Sequence, residues 1–121
     1  MDTTEKLNTL KTASEGLLYP SESDEPFVPF RWKMVQGETA EAAVERNAKA
    51  NGPIESVESE RFFDELKASD DAEGFDELRE ALERALPGHA VVRAGKTRVS
   101  VYLIGAGAGD WIGLETKSVE T

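Results

Sequence analysis

Four groupings of residues in this 121-residue chain carry side chains suited to chemistry. They are a single histidine, His89; a dense set of carboxylates over residues 54–86; a glycine run, Gly105-x-Gly107-x-Gly109; and an acidic segment framed by prolines, Ser21-Glu22-Ser23-Asp24-Glu25. A histidine can act as a general acid or base near neutral pH. His89, however, falls where a helix should hand over to a strand, with no recognisable nucleophile motif beside it, and reads as structural or surface. Acid catalysis by a carboxyl requires apolar surroundings that raise its pKa. No acid in residues 54–86 stands in an apolar run, so these read as solvated helix faces. The glycine run lacks the Gly-Lys-Ser/Thr ending of a phosphate loop and precedes a strand rather than a helix, so it reads as a hairpin turn. With no cysteine and one histidine, neither a disulfide nor a transition-metal cluster is expected. The chain reads as a protein that is not an enzyme and holds no cofactor of its own.

That leaves the acidic segment, and the charge of the whole chain gives it a context. Twenty-four acidic side chains against 14 basic ones leave a formal charge of −10. Such a surface repels nucleic acid and anionic membranes, so neither is expected as a direct partner. It steers instead towards basic protein surfaces. Residues 1–30 carry six acids and two bases, and residues 54–86 twelve and four, whereas 31–53 and 87–121 are each one unit positive. Acidity is thus gathered into two stretches, as a negative docking face requires. Lysine is as frequent as arginine, seven of each, which argues against adaptation to salt as the source of the charge. The start, MDTTEKLNTLKTASEGL, has neither the basic nor the apolar part of a signal peptide, and nothing is long enough to span a bilayer. A cytoplasmic monomer is expected.

The elements that must position the acidic segment follow from pattern. A helix is predicted from Thr3 to Glu15, capped by Asp2 with Glu5 three residues on, striped by Leu7, Leu10 and Ala13, and stopped by Gly16. Pro20, Pro26 and Pro29 forbid a helix through the next segment, so residues 21–25 form an exposed turn. Phe27 to Met34 should be a strand, at a sheet edge because of Pro29. Residues 39–50 read as a surface helix capped by Thr39, alanine-rich and poor in large apolar groups, ending at Asn51-Gly52-Pro53. A short strand over 54–57 precedes a helical turn from Ser59 with Phe62, Phe63 and Leu66. Residues 67–74 read as a polar loop, and 75–86 as an amphipathic helix with Phe75, Leu78, Leu82 and Leu86 on one face. The last third is a meander: a strand over 89–94, a turn at Gly95-Lys96, a central strand over 97–104, a turn over 105–110 and a closing strand over 111–119. Trp32 and Trp111 should pack on the sheet. One α+β domain spanning 1–121, with a mostly antiparallel sheet, is predicted.

Several stretches resemble the nuclease A inhibitor family of proteins that inhibit sugar-non-specific nucleases. They are LKTASEGLLYPSESDEPFVPFRW, RFFDEL, FDELREAL and VRAGKTRVSVYLIGAGAGDWIGLETKSVET, in order along most of the chain. The most specific are Gly16-Leu17-Leu18-Tyr19 with Ser21-Glu22-Ser23, and the terminal Thr116-Lys117-Ser118-Val119-Glu120-Thr121. The resemblance implies an α/β/α-type sandwich and a protein that occupies the active site of a ββα-metal nuclease. It implies that Glu22, flanked by Ser21, Ser23 and Asp24, replaces the charge of the scissile phosphate. It further implies that Thr121, next to Glu120, supplies oxygen to a Mg²⁺ belonging to the nuclease. Mg²⁺ prefers oxygen and keeps exchangeable water positions, so a ligand from outside is chemically reasonable. The family's second contact is an Asp-Trp pair on the loop before the long helix. Asp70 or Asp71 can keep its acidic half, but this loop is shorter and has no tryptophan. An alternative therefore stands beside the inhibitor: an acidic interaction module of the same fold that binds a different basic protein.

Overall fold

The computed structural model describes residues 2–48 and 52–119. Helix α1 (Thr3–Ser14) begins as its cap predicts, with Asp2 Oδ1 accepting the Glu5 N–H at 2.8 Å. Gly16, at φ +79°, turns the chain out of the helix in the left-handed region that glycine enters at no steric cost. Two short strands, β1 (Leu18–Tyr19) and β2 (Glu25–Pro26), pair antiparallel and leave residues 20–24 as their loop. Strand β3 (Val28–Lys33), helix α2 (Ala40–Ala48) and strand β4 (Ile54–Val57) follow. Helices α3 (Ser59–Leu66) and α4 (Ala72–Ala85) then lead to β5 (Ala90–Ala94), β6 (Arg98–Ala106) and β7 (Asp110–Val119).

The main sheet has the order β3-β7-β6-β5-β4, and every ladder in it is antiparallel. β3 lies at an edge, where Pro29 can be accommodated, and β6 is central. The alternation along β6 explains its double covering. Val99, Val101 and Leu103 join the core with α1, α3 and α4, whereas Tyr102 and Ile104 join a second core with α2. The result is a three-layer α/β/α sandwich in a single α+β arrangement, with the predicted C-terminal meander.

Three local expectations are corrected. Helix α2 is not merely a surface helix: it crosses the sheet's second face and buries Ala43 and Val44 completely. Small side chains bring its backbone close to the sheet, where Tyr102 and Trp111 supply the bulk. Its predicted end at Asn51 lies outside the described residues. The loop before the long helix is also shorter than residues 67–74, because Asp71 caps α4 by accepting the Gly74 N–H at 3.2 Å and starts the helix at Ala72. Finally, the glycine run does not turn at Gly105. Gly105 and Ala106 pair with Ile112 and Trp111, so β6 continues and the turn is confined to 107–109. Leu86 lies where a side chain on Gly105 would be, only 2.9 Å from the Cβ position.

Candidate functional site

The acidic loop is built from a narrow ribbon whose own side chains shape it. In the β1–β2 register Leu18 faces Pro26 and Tyr19 faces Glu25, so Ser21, Glu22, Ser23 and Asp24 are carried at the tip. The loop closes on itself. Asp24 Oδ1 accepts the Ser21 N–H at 3.4 Å, and Ser21 Oγ accepts the Ser23 N–H at 3.3 Å. Asp24 adopts φ +46°, a left-handed conformation that aspartate tolerates better than most residues. Glu22, Ser23 and Asp24 are exposed and Ser21 is half-buried.

Beneath the ribbon a group of aromatic rings fixes it to the helices. Tyr19 stacks on Phe62 of α3, with ring centroids 5.7 Å apart and planes 3° from parallel. Phe27 meets Tyr19 edge-on at 6.3 Å and Phe75 of α4 at 6.1 Å. Leu17, 4% exposed, presses on the first turn of α4, where its Cδ2 lies 2.6 Å from the Cβ position of Gly74. Leu17, Gly74 and Asp71 border one groove of about 860 Å³ between α1 and α4, separate from the cavity beside the Ser21–Asp24 loop. Glu15, Glu73, Glu77 and Glu80 also border it, against the single base Arg84, so the groove is net negative. Asp70 is exposed on the turn just before the cap.

The other end of the predicted site meets the ribbon at β7. Thr116 Oγ1 donates to the Glu25 carbonyl oxygen at 3.3 Å, tying β2 to that strand. Ser23 and Glu25 share a cavity of about 420 Å³ with Arg98, Ser100, Lys117 and Val119. Val119 pairs with Arg98 and is the last described residue. The acidic loop and the end of β7 are therefore neighbours across one cavity, although almost a hundred positions separate them in the sequence. Glu120 and Thr121, both singled out from the sequence, lie outside the described residues.

The residues weighed for catalysis have structural engagements. His89 is half-buried, and burial holds its pKa below the ordinary histidine value. Its Nε2 is 2.7 Å from Ser59 Oγ and its Nδ1 is 3.2 Å from the Leu86 carbonyl oxygen. The ring thus joins the end of α4 to the start of α3. Ser59 as its partner was not legible in the sequence, because the two are thirty positions apart and no motif links them. Among the described residues, no three His, Cys, Asp or Glu side chains are grouped to hold a metal ion. No helix among them is long and apolar enough to cross a membrane.

Thr116 was also missed as a positioning residue. Its only sequence signal is a polar side chain at an inward position of β7, between Leu114 and Ser118. Trp32 and Trp111 do pack on the sheet as expected: Trp32 lies 5.3 Å from the Tyr102 ring, and Trp111 is 9% exposed with its indole N–H donated to Glu38. No curated protein matches this chain. A family model described as nuclease A inhibitor-like protein matches residues 4–121.

Proposed function

The chain belongs to the nuclease A inhibitor-like family, and from that premise we propose that it inhibits a sugar-non-specific ββα-metal nuclease by filling its active site. It then acts as a binding protein, not an enzyme, and as a monomer in the cytoplasm. The observation that carries this reading is the shared cavity that sets the Ser21–Asp24 loop beside the end of β7. A phosphate-binding active site with a Mg²⁺ ion requires two things of a protein plug: a negative charge where the scissile phosphate sits, and an oxygen ligand for the metal.

Glu22 fills the first role. Its loop is closed by its own hydrogen bonds and seated on an aromatic base, so little conformational freedom is lost on docking. Thr121 fills the second, reaching the nuclease's Mg²⁺ from the strand that ends beside the loop, with Glu120 adjoining it. Ser21, Ser23 and Asp24 shape and extend the acidic tip, and Asp70 and Asp71, at the start of α4, supply a second acidic contact. The net charge of −10 speeds encounter with a basic nuclease surface and disfavours direct binding to nucleic acid.

The decisive experiment titrates the protein into a Mg²⁺-dependent nuclease assay, with and without Thr121. Stoichiometric inhibition by the full chain and a sharp loss on deletion are expected. Undiminished inhibition by the shortened chain removes the metal-ligand role. The missing tryptophan in the 67–71 turn favours a second reading, an acidic module docking a different basic protein. Affinity capture from the source organism separates the two, since only the first predicts that a metal-dependent nuclease is retained.

A further inference from the structure

We propose that the outer face of the β1–β2 ribbon is the apolar half of the docking surface whose charged half is the Ser21–Asp24 loop. Its occupant is a patch of the nuclease in which apolar side chains are bordered by basic ones. The inference rests on the inhibitor reading and adds to it a contact made by Leu18, Pro26 and Val28.

Side chains alternate between the two faces of an extended segment. Tyr19 and Phe27 point inward and are buried, at 9% and 8% exposure. Their neighbours must point outward. Leu18 and Pro26 are direct partners across the ribbon, so they share its outer face. Val28, two positions beyond Pro26 with buried Phe27 between, continues the same row. Leu18 is 52% exposed and Val28 53%, and Pro26 is exposed too. Leu18 and Val28 are two of the three large hydrophobic residues exposed among the described residues, and the third, Val35, lies beyond β3.

Single exposed apolar residues are ordinary, but a row of them beside a charged tip is the composition of an interface: an apolar centre with a polar rim. The row is also rigid. Tyr19 stacked on Phe62, Phe27 against Phe75 and Thr116 bonded to Glu25 hold the ribbon from within. Charge selects the occupant. A second copy of this chain would bring two acidic loops together on molecules that each carry −10, so self-association is disfavoured. A basic partner meets Glu22 and Asp24 with opposite charge while covering the row.

The test pairs a double variant, Leu18→Thr with Val28→Thr, with methyl NMR of the unaltered protein titrated with the source organism's Mg²⁺-loaded ββα-metal nuclease. Threonine suits an exposed strand, so the thermal midpoint should hold. The expected result is complex dissociation about ten-fold faster, at an unchanged association rate, as befits lost apolar burial. The Leu18 and Val28 methyl signals should shift or broaden on titration in the unaltered protein, a readout that stands even where the variant folds poorly. If the double variant inhibits as tightly as the parent and these methyls do not move, while Glu22→Ala weakens inhibition, the apolar contact is wrong and the inhibitor reading survives. If the unaltered protein inhibits no such nuclease, the reading fails and this inference falls with it.

Discussion

Thr116, 2% exposed within β7, donates its hydroxyl to the carbonyl oxygen of Glu25 across 3.3 Å. This bond joins the central sheet to the ribbon that carries the acidic loop. The chain fold alone fixes β7 against β3 and β6. What fixes the loop against β7 is this hydroxyl together with the rings of Tyr19 and Phe27 behind it.

Replacing Thr116 with valine keeps the shape and removes the donor. Stability should fall by about 1 kcal/mol, the usual net value of one such bond. Amide exchange in the Ser21–Asp24 loop should quicken more than in β6. Denaturant unfolding and hydrogen exchange read the two effects. Equal protection in the loop of the variant and the parent would mean that the aromatic base alone sets its position.

Glu22→Ala and Glu22→Gln should both weaken inhibition by about ten-fold or more, because either removes the charge proposed to stand in for phosphate. Raising salt should slow association far more than it speeds dissociation, since exposed charges act over a screened distance. Rapid-mixing kinetics at two ionic strengths measures both. A glutamine variant as potent as the parent would sink the charge argument.

Gly74→Ala places a methyl 2.6 Å from Leu17 Cδ2 and 2.7 Å from the Asp71 oxygen that caps α4. Alanine gains about 1 kcal/mol in helix propensity. Overpacking against a buried leucine costs about 1–3 kcal/mol. The net change is expected to be destabilising by about 1 kcal/mol, with the acidic groove and the ribbon disturbed together. A raised thermal midpoint would show that Leu17 can yield.

Acid should destabilise the protein through Glu38. Arg46 grips its carboxylate with two bonds of 2.8 and 2.9 Å, and the Val35 amide and the Trp111 indole add to them. The Arg46 bonds are the largest cause of a pKa lowered from 4.5 to about 2. A depressed folded pKa contributes stability that is complete above pH 4.5 and is lost as pH falls towards 2. His89 acts in the same direction at higher pH. Burial lowers its pKa, so its contribution is present above the ordinary value of 6.5 and wanes as pH drops below it. Unfolding free energies from pH 7 to 2.5 should therefore decline, and Glu38→Gln should flatten the lower part of the curve. An unchanged slope in that variant would rule Glu38 out as the source.

Much of this protein was legible as sequence because the signals are local. The Asp2 cap, the proline-framed turn, the edge strand at Pro29 and the two-sided pattern of Val99–Ile104 each reflect steric or hydrogen-bonding rules that act within a few residues. The same holds for the concentration of acid in two stretches. Where local reading failed, a distant partner decided the outcome. Alanines in α2 look like surface until Tyr102 and Trp111 rise from the sheet to meet them. Gly105 looks like a turn until Leu86 claims its space.

By itself, the sequence determined which residues are charged, which segments are extended or helical, and where an acidic loop must stand out. Only the tertiary structure decided that this loop lies beside the end of β7 and that Leu18, Pro26 and Val28 form one exposed row next to it. The physical reason is that side-chain periodicity is written in every few residues of a chain. Proximity between residues 23 and 119 depends on strand order and ring packing, which appear only when the whole sheet closes.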